Sequence, residues 1–262
     1  MNGKKILAWF AVAIGAVYFL VPLIATFEFS LRMRRGEYSF DAYASVFADV
    51  QFRETFSYSI LMAILTIIVG MVLIVPTAYW VRLRLPQMRP VVEFITLLPL
   101  VIPAIVIVFG YLRLYGSASV LPFTAYERTT DLLLIFSFMT LSLPYMYRSV
   151  DTSMRAIDVR VLTEAAESLG ASWTTIMVRC IFPNVMSGVL SGSFIAFAIV
   201  IGEFTMPSLL NRPAFGPYLQ LIGANKAYEP PALAMIAFIM TWASMGLINI
   251  ASRLQKVSRV RT

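Results

Sequence analysis

Histidine is absent from this 262-residue chain and cysteine occurs once, at Cys180. Without histidine the commonest metal ligand and the commonest general base near neutral pH are both missing, and one cysteine cannot close a disulfide within the chain. The ordinary catalytic constellations are therefore lacking, and no metal centre inside a membrane is expected. Charge is scarce as well: Asp, Glu, Lys and Arg make up 13% of the residues, about half the share found in soluble domains. Nowhere does Gly-x-x-x-x-Gly-Lys-Ser/Thr occur, so the chain has no loop of that kind to cradle a nucleotide phosphate and cannot by itself hydrolyse ATP.

What fills the space is apolar. Hydrophobic residues account for 59% of the sequence, more than the roughly 45–50% of a globular domain. Crossing about 30 Å of hydrocarbon takes about 20 helical residues. Six runs reach or approach that length: Ile6 to Leu31, Tyr58 to Val81, Phe94 to Leu112, Leu132 to Tyr147, Val185 to Leu210 and Leu233 to Ala251. The expected class is an all-α, polytopic membrane protein with six transmembrane helices. Lys4 and Lys5 give the first run the look of a signal peptide. It is too long for an h-region of about 7–15 residues and no small-x-small cleavage site follows, so an uncleaved span is expected.

Orientation follows from the basic residues. With the N-terminus inside, Lys4, Lys5, Arg82, Arg84, Arg89, Arg148, Arg155, Arg160, Arg179, Arg253, Lys256, Arg259 and Arg261 all fall on cytoplasmic segments, whereas acids and bases balance outside. The positive-inside rule then places both termini in the cytoplasm. The net charge of +7 is mostly this asymmetry and not a nucleic-acid surface. Arg32, Arg34 and Arg35, on the expected outer side, run against the rule.

Gly70, Pro76, Pro99, Pro103 and Pro144 are expected to interrupt spans two, three and four. Phe40, Tyr43, Phe47, Phe52 and Phe56 suggest a short interfacial helix before span two. Arg82, Arg84 and Arg89 read as snorkelling anchors. Gly188 and Gly192, beside Ser187 and Ser191, form a small-residue face suited to close helix approach. Glu203 is the one carboxylate well inside an apolar run. Charged groups in spans are costly and commonly functional, which leaves two readings open: a residue facing a passage, or a bond to a neighbouring helix or a cap on the turn before Pro207. Arg253, Lys256, Arg259 and Arg261 suit an anionic inner leaflet.

Between the fourth and fifth runs lies EAAESLGASWTTIMVRCIFP, Glu164 to Pro183, too charged and too broken to span lipid. Asp158 can cap a short helix whose apolar stripe is Val161, Leu162, Ala165 and Leu169. Gly170 offers a left-handed end, Ser172 can cap a second short helix bearing Trp173, Ile176, Met177, Cys180 and Ile181, and Pro183 is expected to stop it. The product is a helix–break–helix knuckle on the cytoplasmic side. It presents an apolar stripe to another protein, which is how a helix docks in a groove. A DNA-reading helix-turn-helix is disfavoured because Glu164 and Glu167 sit where a basic face is needed.

Glu164-Ala165-Ala166, Gly170 and Cys180-Ile181-Phe182-Pro183 match in spacing the EAA loop of membrane subunits of binding-protein-dependent ABC importers; Cys180 and Phe182 stand where Ile or Val and Leu are usual. The chain resembles type I importer permeases, and most of all the spermidine/putrescine type of second permease. The resemblance implies that Glu164, Ala165, Ala166, Gly170, Ser172 and Trp173 couple to an ABC ATPase dimer that binds ATP and Mg, while this chain binds no cofactor. Further implied partners are a second homologous permease, a periplasmic or extracellular solute-binding protein docking on the outer loop Asn211 to Pro231, which holds Arg212, Phe215, Tyr218, Lys226, Tyr228 and Glu229, and lipid. The implied setting is the bacterial inner membrane. A polyamine is the implied substrate, with Glu203, Phe204 and Trp242 as residues of the path; ferric iron, phosphonate or another small organic solute are alternatives within the same machinery. The expected layout is a first helix and outer segment over 1–57, a permease core over 58–252 with the loop at 158–183, and a basic tail over 253–262. A secondary transporter or channel is the competing class, but it would call for more intramembrane ionisable groups than this sequence has.

Overall fold

The structure, a computed structural model, describes residues 3–260, with the side chains of 3, 4, 6 and 247–260 outside that description. Among the described residues all regular structure is helical. The helices are α1 (Gly3–Ser30), α2 (Asp41–Ala48), α3 (Val50–Leu83), α4 (Arg89–Val101), α5 (Ala104–Tyr115), α6 (Glu127–Arg155), α7 (Val159–Ser168), α8 (Trp173–Thr175), α9 (Phe182–Asn184), α10 (Met186–Gly202), α11 (Thr205–Leu209), α12 (Phe215–Asn225) and α13 (Glu229–Val260). Of these, α1, α3 and α6 are each long and apolar enough to cross a membrane. Two bent pairs raise the number of candidate spans to five. The sixth expected span falls on α13, where residues 247–260 are described by backbone alone.

Two expected spans are corrected. The third is not one helix: α4 and α5 meet at a 100° bend, and at about 1.5 Å per residue their 13 and 12 residues reach only about 20 Å each. The break falls at Ile102, in extended conformation, and Pro103. A residue before proline is steered out of the helical region, which places the break there. Pro76, Pro99 and Pro144, expected to interrupt, all lie inside helices. The fifth span ends at Gly202, not Leu210, and Glu203 is extended.

Contacts divide the chain into two units. One contains the residues up to Glu54 together with Tyr218–Met240. The short helix expected before span two is α2, and its Phe47 packs edge to face on Phe52 of α3, the centroids 5.8 Å apart. Phe52 also meets Tyr218 at 6.3 Å, and the Tyr218 hydroxyl donates to Asp49 at 2.8 Å. Most of the stretch Leu7–Ser30 of α1 is exposed, Ser30 at its end being buried, so its apolar surface needs lipid or another protein to cover it.

The second unit runs over Thr55–Pro217 and resumes at Thr241. Its axis is the pairing of α6 with α10. Gly188 and Gly192 are buried there, and a Cβ on Gly188 would run into the Ser149 carbonyl, so the small-residue face does permit close approach. Two apolar clusters fill this unit. One lies around Met62, Val108, Leu134, Phe138, Val200 and Met206. The other joins α3, α6 and α10 to the knuckle through Tyr79, Met146, Met154, Ile176, Ile181 and Val185.

Candidate functional site

The knuckle is built locally as its sequence suggests. Asp158 accepts from the Val161 N–H at 3.1 Å, satisfying one of the free donors at the start of α7. At the other end Gly170 has φ +77°. The Gly170 N–H donates to Glu167 O at 2.9 Å and the Ala171 N–H to Ala166 O at 3.0 Å, the bond pair of a Schellman ending. The Ser172 Oγ then accepts from Thr175 N at 3.4 Å to start α8.

Pro183 behaves differently from expectation. It does not stop the second helix; it sits in the first turn of α9. Ahead of it, Ile176–Ile181 widen into a π-helical turn in which the Phe182 N–H reaches back to Met177 O. A proline ring clashes with the carbonyl four residues earlier. Widening one turn is a known way for a helix to accommodate such a local misfit. The chain bends instead at Val185, and α10 leaves at 75°.

Burial separates the two faces of the knuckle. Val159, Thr163, Ala166, Ile176, Met177 and Ile181 point inward, and each large apolar chain among them adds about 1.5–3 kcal/mol of anchoring. The expected stripe is the opposite face: Val161 is 58% exposed, Leu169 is 88% exposed, and Ala165 is exposed, with Leu162 half-buried. Glu164, Gly170, Ser172 and Trp173 share that exposed side, whereas Ala166 faces the core. Trp173 lies 5.7 Å from Trp80 of α3, and Thr163 and Tyr79 pair hydroxyls at 3.3 Å. The knuckle therefore has a fixed base and an open apolar top.

A charge network that composition did not reveal sits beside it. Asp151, near the end of α6, receives Arg82 of α3 at 2.7 Å and Arg155 at 2.7 Å. Arg89 pairs with Glu93 at 2.8 Å, and Arg155 approaches Glu93 at 3.6 Å. Arg82 and Arg89 are thus pairing residues, not snorkelling anchors, while Arg84 reaches Glu167 of the knuckle at 3.7 Å. The ends of α3, α4 and α6 are tied where the knuckle begins. The signal that could have found this was Asp151 itself, four residues before Arg155 on one helix face.

At the other end of this unit, Tyr58 donates to Asp131 at 2.5 Å and Arg212 to the same oxygen at 2.7 Å. Arg212, Phe215 and Tyr218, expected on a docking loop, have little or no free surface. Glu203 has its carboxylate committed: Oε1 accepts from Thr205 N at 3.0 Å and Oε2 from Met206 N at 2.7 Å, which caps α11. Phe204 is 39% exposed beside it, and Trp242 is 61% exposed on α13. The basic tail side chains Arg253, Lys256, Arg259 and Arg261 lie outside the described residues.

Comparison with known proteins fits this geometry. A probable molybdenum ABC transporter permease protein of Haloferax volcanii is 32% identical over 147 residues, 56% of this chain and 54% of the relative. The spermidine/putrescine transport system permease protein PotC of Escherichia coli is 31% identical over 122 residues, 46% of each chain. The chain thus matches about half the length of these curated relatives. Among solved structures, a chain of a bacterial alginate ABC transporter in complex with alginate pentasaccharide-bound periplasmic protein superposes with TM-score 0.75 over 97% of this chain and 96% of that one, at 15% identity. This likeness is one of fold. Residues 70–258 match the family described as binding-protein-dependent transport system inner membrane component, and the chain belongs to that family.

Proposed function

We propose that the chain is one permease subunit of an ATP-driven importer, forming half of the passage for a small charged solute. The observation that carries this reading is the knuckle: a rigidly anchored base under an exposed apolar stripe of Val161, Leu162, Ala165 and Leu169. Such a stripe fits a groove on a separate ATPase dimer, which holds ATP and Mg. Closure of that dimer pushes the knuckle, and the base passes the motion to α3, α6 and α10. A second permease completes the passage, an external solute-binding protein delivers the solute, and both termini face the cytoplasm. Relatives named for molybdenum and for spermidine/putrescine transport leave the substrate open between two chemistries. Polyamine is the substrate implied by the resemblance; Glu203, expected on the path, has its carboxylate held by two amides.

Affinity purification of the tagged chain in mild detergent, with its partners co-expressed, tests the coupling. The ATPase is expected to co-purify with wild type and to be lost from Glu164→Ala/Leu169→Asp, while the doubly substituted chain still inserts in the membrane. Retention of the ATPase by the double variant rejects the knuckle as the contact.

A further inference from the structure

The chain itself carries α6 and α10 into the knuckle, whereas α3 meets it only through side chains. One set of these contacts is buried: Tyr79 and Thr163, 84 positions apart, pair hydroxyls beside the apolar cluster. A second set lies outside the core. Arg84 reaches Glu167 at 3.7 Å, and the Trp80 ring meets that of Trp173 with centroids 5.7 Å apart and planes tilted by 38°. The Arg84 N–H bonds to Trp80 O at 2.8 Å, so the two side chains leave the end of α3 from one helical face. Glu167 precedes Gly170 by three residues and Trp173 follows it by three. This face of α3 therefore grips α7 and α8 on either side of the left-handed turn. Nothing packs where a Cβ of Gly170 would lie, which leaves the angle between α7 and α8 to the buried base and to this clasp.

We propose that Trp80 is a positioning residue for ATPase coupling: through Trp173 it holds α8 at its angle to α7, and it draws the end of α3 along when the knuckle is displaced. The inference rests on the reading of the knuckle as the ATPase contact and adds how α3 is enlisted. The two halves of the clasp are unequal. Arg84 and Glu167 are both largely exposed and held at long range, a pairing that water and salt screen. Indole rings offer a large contact area on only two rotatable bonds, so a ring pair passes on a displacement that long charged side chains would absorb. Trp80 is also 47% exposed, so its replacement does not empty the core.

The test uses the complex of both permeases and the ATPase in detergent, compared without nucleotide and after trapping with ATP and vanadate, with hydrogen exchange followed over α3 and over the knuckle. In wild type, trapping is expected to change protection in the knuckle and in residues 74–83 of α3. Trp80→Leu should keep the ATPase bound and hydrolysing ATP, with exchange before nucleotide as in wild type, while the response of α3 falls about threefold or more. Trp80→Phe, which keeps a ring against Trp173, should restore most of that response, and Arg84→Ala should lower it less than Trp80→Leu. An α3 that stays unchanged beside a responding knuckle in wild type, an equal response in Trp80→Leu, or no restoration by Trp80→Phe overturns the proposal. Faster exchange of α3 in Trp80→Leu before nucleotide is added also overturns it, because Trp80 would then serve packing alone. Loss of the ATPase from Trp80→Leu does the same, because Trp80 would then belong to the docking surface. A wild-type complex without ATPase, or with a knuckle that does not respond to trapping, sinks the importer reading instead, so the two failures are distinguishable.

Discussion

Arg82 of α3 and Asp151 of α6, 69 positions apart in sequence, meet with Nη2 2.7 Å from Oδ1. The second carboxylate oxygen takes both Nε and Nη2 of Arg155 at 2.9 and 2.7 Å. With its side chain only 11% exposed, Asp151 is the hub, and its removal leaves Arg82, 26% exposed, without an anion. A charge-assisted bond of this kind is worth about 1.5–3 kcal/mol. Asp151→Asn is therefore expected to lower the unfolding temperature of the detergent-solubilised chain by about 3–12 °C, at about 2–4 °C per kcal/mol for a chain of this length. Arg84→Ala removes a pair in which both groups are largely exposed and should shift it by no more than about 2 °C. Equal shifts for the two variants would deny Asp151 its special position.

Gly170 ends α7 at φ +77° with open space around its missing Cβ. Substitution there strains the backbone without a clash. Gly170→Ala is expected to cost about 1–2 kcal/mol, the penalty of a left-handed L-residue, whereas Gly170→Asn, better tolerated in that region, should cost less. The order of unfolding temperatures, wild type above Asn above Ala, checks this; an Ala variant as stable as wild type would mean that the ending relaxes to another form.

The close approach of α6 and α10 predicts a larger effect at Gly188. A side chain there meets the backbone carbonyl of Ser149, which cannot swing aside. Gly188→Val should push the helices apart and cost about 3 kcal/mol or more. The exposed Gly202, with nothing near its missing Cβ, should tolerate alanine within about 0.5 kcal/mol. Comparable expression and melting of the two variants would contradict the packing.

Residues that act on their own neighbours in sequence were legible; those that act across the fold were not. Asp158, Gly170 and Ser172 form their caps within three or four residues, so spacing alone located the knuckle. Apolar length located the helices around α1, α3 and α6 for the same reason. The stripe Val161, Leu162, Ala165 and Leu169 was also readable, though not that a second face of α7, at Val159, Thr163 and Ala166, carries the anchoring. Arg82 and Asp151 come together only once α3 and α6 are placed, and Tyr58, Asp131 and Arg212 only once the stretch between α11 and α12 joins those two helices. Prolines misled because a helix can absorb one by widening a turn, as before Pro183, or by using its place in the first turn. Glu203 looked intramembrane because the apolar run continues past it, while its own carboxylate terminates the run by capping α11.

The turn between α2 and α3 carries a pH-dependent contact. Tyr218 donates its hydroxyl to Asp49 at 2.8 Å, and this bond, with the Gln51 and Phe52 amides also contributing, holds the Asp49 carboxyl below the ordinary aspartate range. A carboxyl whose folded-state pKa is depressed adds stability that is fully present above its unfolded value, about 3.9, and is lost as pH falls through the lower folded value. Tyr218→Phe removes the largest cause of the shift while keeping the ring that packs on Phe52. Wild type should then melt above Tyr218→Phe by a constant margin from neutral pH down to about pH 5. The margin should shrink as the pH is lowered further, because protonated Asp49 no longer rewards the donor. Since Asp49 is partly solvated, the margin is small, about 1 kcal/mol or less. A margin that grew on acidification would reverse the sign of the linkage and show that the hydroxyl favours the protonated carboxyl.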